Sequence, residues 1–433
     1  MMGTGGLSLD QAPPIDIPAR FFLTAPLFAI AAGLLLAWQG PNLLVSRWMP
    51  GALAATHLIA IGYLGLIMCG ALLQMLPVVA GAPVPAVRLV GTATHLLLAI
   101  GAAGLAWGLA GGEPTLIWIG AGAAAMGFLV FVVPVAIALV RARGAPGTLL
   151  ALRTAALALA VTVALGLLLV AVLQGWIRVS EHTRWVDTHA AWGLMGWVGL
   201  LVVGVAIQVL PMFYVTPAYP APMRRWFAPA VLIGIGAASL AWIMGAGLVG
   251  QAVFGTIALG FVGFAFITLR LISRRERPRL DPTLLHWWAA MLSLCGAALA
   301  WAFAAPPTLI GVLLLVGVGV GLPAGMLFKI LPFLTWFHLQ HRQLASGRFD
   351  LRIPHMGSLL STRWARIQFG LHLLALALLA GSPWIPVLAR PAGIALALSS
   401  SVLLVLLVGV ARTYRRFAAL LQLAPSAVTR PWV

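Results

Sequence analysis

Residues 53–79 read LAATHLIAIGYLGLIMCGALLQMLPVV. Only Thr56, His57, Tyr63 and Gln74 bring an oxygen or nitrogen into this stretch. As an α-helix it would be about 40 Å long at 1.5 Å per residue, enough to cross a hydrocarbon layer of ~30 Å. Its glycines and its Leu-Pro ending also return elsewhere in the chain. The stretch holds Gly62, Gly65, Gly70, Gln74, Leu76 and Pro77. Moved by 134 positions these become Gly196, Gly199, Gly204, Gln208, Leu210 and Pro211, and moved by 255 they become Gly317, Val320, Gly325, Lys329, Leu331 and Pro332. Small residues at fixed spacing let helix backbones approach one another or a flat ligand.

The rest of the chain has the same character. Of 433 residues, 62% are hydrophobic and 8% charged, against roughly 25% charged in a soluble domain. There are too few charges for a polar shell, so lipid is expected to solvate most of the surface. Apolar runs fall at about 21–39, 53–79, 88–111, 115–140, 150–174, 187–213, 227–249, 251–273, 283–304, 308–334, 364–381 and 387–411, which predicts twelve spans. The repeated stretches are spans 2, 6 and 10. A second echo, His95-Leu-Leu in span 3 and His372-Leu-Leu in span 11, falls in the third helix of a four-helix period. The expected fold is therefore an all-α, polytopic membrane protein. It would have three pseudo-repeated four-helix units, at about 21–140, 150–273 and 283–411, around a pseudo-threefold axis. Short tails, 1–20 and 412–433, flank a single membrane domain.

The net charge of +18 does not point to nucleic acid, because the positions of the charges account for it. All but five of the 26 basic residues fall on one side of the predicted membrane. Arg47, Arg178, Arg184 and Arg390 fall on the other, and Lys329 lies within span 10. The positive-inside rule then places both termini in the cytoplasm, as in a bacterial-type inner membrane. Cys69 and Cys295 lie inside apolar runs without metal-ligand spacing, so neither a disulfide framework nor a CxxC site is expected.

Ionisable groups within a membrane are functional candidates. The eight acids, Asp10, Asp16, Glu113, Glu181, Asp187, Glu276, Asp281 and Asp350, all lie in loops or at span ends, which weighs against proton- or sodium-coupled transport. Histidine remains. His57 and His189 lie near the outer ends of spans 2 and 6, two positions apart in the repeat. Imidazole suits heme iron or copper. Gly193 and Gly196, at i+4 and i+7 from His189, would leave room for a planar group. Met68 and Met75 would extend the His57 face inward, as soft ligands or as packing. His95, His286 and His372 form a second, deeper group. Trp287 and Trp288 beside His286 suit an interfacial aromatic belt. For His57 and His189 the alternative is a neutral imidazole hydrogen-bonding across a helix pair. His338, His341, His182 and His355 read as solvated or headgroup-facing, and Lys329 as a snorkelling side chain. No Walker loop, GxSxG elbow or zinc-protease motif occurs in a plausible context.

Twelve spans in three units, both termini inside, and histidines near the outer ends of spans 2 and 6 resemble subunit I of the heme-copper oxidases. The chain is also similar in size and span count to NnrS, a heme- and copper-containing family linked to nitric oxide stress, with a loosely similar start at Pro18-Ala19-Arg20-Phe21-Phe22-Leu23. The resemblance implies that His57 stands for a heme ligand and His189 for a copper ligand. Span 7 has no histidine, and span 10 none in its membrane part, where the oxidases carry ligands. The implied role is thus heme b binding, with copper as a further ligand metal, in nitric oxide or respiratory redox handling rather than oxygen reduction. A cytochrome or another respiratory subunit would be the partner. The alternative is a non-redox carrier, assembly partner or structural subunit that keeps the fold without the cofactor.

Overall fold

The computed structural model describes residues 13–277 and 280–422. Among them, twelve helices are long and apolar enough to cross a membrane: Asp16–Gln39, Pro50–Val78, Val87–Gly111, Pro114–Arg141, Pro146–Leu173, His182–Tyr214, Ala221–Ile243, Gly247–Ser273, Pro282–Ala302, Pro307–Ser346, Thr362–Gly381 and Pro386–Leu420. These are spans 1–12. Large apolar side chains such as Leu34, Ile233, Leu248, Leu259 and Val405 are exposed on their outer faces. No water-soluble surface looks like this, and such a surface is stable against lipid tails. The protein is an all-α, multi-pass membrane protein.

Three C-terminal span ends differ from the sequence expectation by more than two residues. Span 7 stops at Ile243, not near 249, because Gly245 takes a left-handed φ of +84° and turns the chain within an unbroken apolar run. Span 10 runs on to Ser346, twelve residues past its apolar stretch. The last helix continues to Gln422, so residues 412–422 are not a free tail. Charge ends the hydropathy signal but not the helix. The two extensions meet over a small core of Leu339, Ala418 and Leu421, flanked by Leu351 and Ile353, with Arg342 over the Tyr414 ring at 5.8 Å. The outer parts of both predicted tails, 1–12 and 423–433, lie outside the described residues, as do Asp10, Arg279 and Arg430.

The spans form a ring. Within each unit the first span packs on the second and the third on the fourth; span 4 then meets span 5, span 8 meets span 9, and span 12 meets span 1. The closing contact is intimate. A Cβ added to Gly33 of span 1 would lie 2.7 Å from the Gly393 carbonyl oxygen of span 12, and one added to Gly393 would lie 2.6 Å from the Gly33 oxygen.

The repeat is geometric as well as sequential. Spans 2, 6 and 10 each contain an eight-residue π-helical segment, Leu58–Gly65, Trp192–Gly199 and Leu313–Val320, which are related by the same shifts of 134 and 255. The widened turns explain the glycine spacing. Cβ atoms on Gly62 and Gly70 would meet Phe28 and Phe21 of span 1; on Gly196 and Gly204, Ala158 and Ala151 of span 5; on Gly317 and Gly325, Ser293 and His286 of span 9. The partners are seven residues apart, two α-helical turns, while the glycines are eight apart. The π segment between them inserts the extra residue. Offsets of 130 and 265 carry Phe21 and Phe28 onto their counterparts in spans 5 and 9.

Candidate functional site

His57 is the residue before the first π segment, and its Nδ1 lies 2.8 Å from the Leu53 carbonyl oxygen. His189 sits three residues before the second π segment, with Nδ1 3.1 Å from the Thr162 carbonyl oxygen of span 5. A carbonyl only accepts, so in both rings Nδ1 carries the hydrogen and Nε2 keeps its lone pair. Both imidazoles are partly exposed, and Nε2 has no hydrogen-bond partner among the described residues. This is the arrangement of a metal-ligating histidine, in which the second ring nitrogen is tied down by a backbone oxygen.

The ends of spans 2 and 6 nearest these histidines are held together. Arg47 donates to Asp187 at 2.5 Å, and Trp48 packs on His182 with ring centroids 5.6 Å apart. These contacts join the segments next to the two candidates, His57 and His189, 132 positions apart.

The space around them departs from the expectation. Gly193 and Gly196 do share a face with His189, but span 5 fills it: their Cβ atoms would lie 3.3 Å from Thr162 Cγ2 and 2.8 Å from Ala158 Cβ. They serve helix packing, not a planar ligand. The π segment between His57 and Met68 also breaks the α-helical register that would put the two on one face.

The deeper group divides. His95 Nε2 is 2.9 Å from Thr24 Oγ1, and its ring stands edge-on to Phe21. His286 and His372 instead lie together, with ring centroids 5.3 Å apart, and both are fully buried. His286 Nε2 donates to Gln368 Oε1 at 2.9 Å. Gln368 is oriented by span 12: its Nε2 donates to Ser399 Oγ at 3.0 Å, and that hydroxyl donates to the Gln368 carbonyl at 3.3 Å. His286 Nδ1 therefore bears a lone pair. That atom and both nitrogens of His372 are buried without a partner. Each such nitrogen costs about 1–3 kcal/mol if nothing binds it. Trp287 is buried and donates to Met326 Sδ at 3.2 Å, so only Trp288 faces outward and no aromatic belt forms there.

Sequence reading missed one cluster. Lys329 does not snorkel alone; its Nζ is 2.6 Å from Asp281 Oδ2, with both side chains about three-quarters buried. The other oxygen, Asp281 Oδ1, accepts from Tyr214 Oη and from the Leu284 N–H, both at 3.0 Å, capping span 9. The only signal was Lys329 standing where the repeat has Gln74 and Gln208. His355 closes a local turn by accepting from Gly357 N.

Among the described residues, no three His, Cys, Asp or Glu side chains converge on a metal position. The donor set at the His57 end is two neutral imidazoles, which suits heme iron, whose other ligands come from the porphyrin, better than a bare divalent ion, which needs three or four protein ligands. No protein-family model matches this chain, and no characterised protein matches it in sequence.

Proposed function

We propose that the chain is a heme-binding protein of the bacterial inner membrane, with copper as an alternative metal. His57 and His189 would present Nε2 to the cofactor, and the role would lie in nitric oxide or respiratory redox handling rather than oxygen reduction. The observation that carries this reading is the shared hydrogen-bond pattern: two imidazoles on segments tied by Arg47–Asp187, each fixed through Nδ1 by a backbone carbonyl, each with a free Nε2. When bound, the heme supplies one-electron chemistry or a site for a diatomic ligand. The protein's part is to keep both rings neutral, fix their tautomers and hold them beside each other with Arg47–Asp187. The distribution of arginines supports cytoplasmic termini, which puts His57 and His189 at the periplasmic end, within reach of a cytochrome or other respiratory partner.

The test is purification in detergent, followed by a visible spectrum and iron and copper analysis. A Soret band that shifts or collapses in both His57→Ala and His189→Ala supports the reading. A colourless protein free of iron and copper overturns it and leaves the non-redox carrier, assembly partner or structural subunit.

A further inference from the structure

The His286–His372 pair is a specialisation of the third unit, and the repeat shows what has changed. The offset of 265 that carries Phe21 to His286 and Phe28 to Ser293 carries Thr24 to Ala289. In the first unit, His95 of span 3 faces Phe21 and finds the Thr24 hydroxyl. In the third, His372 of span 11 faces a second imidazole, and the hydroxyl that would satisfy it is replaced by a methyl group. One aromatic contact has become a pair of nitrogen donors, and the hydrogen-bond partner has been removed.

The surroundings narrow what can bind there. Gly321 and Gly325 back the pair closely: a Cβ on Gly321 would lie 2.7 Å from His372 Nε2, and one on Gly325 would collide with the His286 side chain. Phe369 stands edge-on to His286 at 4.9 Å, and Phe328 lies at 5.9 Å. A porphyrin cannot enter between them. No third His, Cys, Asp or Glu joins them among the described residues, so a divalent ion would lack both ligands and countercharge. Two neutral nitrogen donors in apolar surroundings match a soft, weakly hydrated monovalent ion that accepts two-coordination. The Gln368 contact favours an ion over a trapped water, because a ligating histidine gives its other N–H to a fixed oxygen, which sets the tautomer and raises donor strength. With metal–nitrogen bonds of about 2.0 Å, one ion can reach both rings at a centroid separation of 5.3 Å through a bent nitrogen–metal–nitrogen arrangement.

We infer that His286 and His372 together bind a single monovalent copper ion inside the third unit, separate from the His57–His189 site. His286 would bind through Nδ1 and His372 through one ring nitrogen, with Gln368 as the positioning residue.

The test uses the full-length protein in detergent with His57→Ala and His189→Ala, so that failure of the outer site does not affect the outcome. Copper is supplied as Cu(I) under ascorbate, and Ag(I) serves as a redox-inert substitute. The expected result is uptake of one equivalent, a rise in melting temperature on loading, and an X-ray absorption spectrum with two nitrogen scatterers and no sulfur. Adding His372→Leu should abolish both uptake and the thermal shift while leaving the metal-free protein at least as stable, since it removes two unpartnered nitrogens. Gln368→Leu, which spares both ligands, should weaken Cu(I) binding about 10–100-fold. The inference is overturned if the double variant takes up no Cu(I), if uptake survives His372→Leu, or if sulfur appears in the metal's shell, which would assign the ion to a cysteine or methionine.

Discussion

Arg47 and Asp187 form a 2.5 Å ion pair that joins the segment ahead of His57 to the helix that carries His189. The side chains are 33% and 38% exposed, so the pair is a poor source of stability but a good positional tie. Arg47→Gln or Asp187→Asn should lower stability by no more than about 1 kcal/mol, read as a small change in detergent melting temperature. If the two histidines serve one cofactor, the same substitutions should broaden or shift its absorption band. An unchanged band would separate the ion pair from the cofactor.

The Gly33–Gly393 crossing closes the ring, and there is no space for a side chain on either helix. Gly33→Val and Gly393→Val should each cost about 1–3 kcal/mol or more from overpacking and give aggregated or early-melting protein in size-exclusion and thermal assays. Gly122→Ala and Gly236→Ala, where an added Cβ meets nothing within 4 Å, should leave stability unchanged or raise it by up to about 1 kcal/mol, the helix preference for alanine over glycine.

Lys329 and Asp281 should behave as a unit. Each single neutral variant, Lys329→Met or Asp281→Asn, leaves a mostly buried charge alone, whereas the double variant leaves none. The double-variant loss should therefore be smaller than the sum of the singles by about 0.5–3 kcal/mol. Asp281→Ala should lose roughly 1 kcal/mol more than Asp281→Asn, because asparagine still accepts from the Leu284 N–H and alanine cannot. Strict additivity in thermal unfolding would contradict the pairing.

Orientation can be read from labelling. Ser180, in the connection ahead of span 6, and Ser346, the last residue of span 10, are both exposed. Introduced as single cysteines, position 180 should react with a membrane-impermeant thiol reagent on intact cells, and position 346 only after permeabilisation. The reverse pattern would invert the proposed topology.

Much of the architecture could be read from the order of residues. Lipid solvation acts on composition, so runs such as 53–79 declare themselves as spans without knowledge of their neighbours. The threefold recurrence of Gly62 and Gly70 was visible for a similar reason, since close backbone approach admits few residue types. Polarity misled at two places: the apolar runs end at 334 and 411, yet the helices continue and Leu339, Ala418 and Leu421 pack together. The π segments left no local signature beyond the eight-residue glycine spacing, whose meaning depends on the seven-residue spacing of the partner helix.

Histidine content and depth were fixed by the sequence; pairing was not. That His286 meets His372 while His95 meets Thr24, and that Lys329 meets Asp281, depends on which spans adjoin and on their rotation. Those are set by packing summed over the whole ring rather than by any local run. The sequence alone determined a twelve-span membrane protein with histidines at two depths, because burial in lipid selects residue types one position at a time. Only the tertiary structure decided which imidazoles are satisfied and which are left with open nitrogens, because a hydrogen bond depends on ångström distances between helices far apart in the chain.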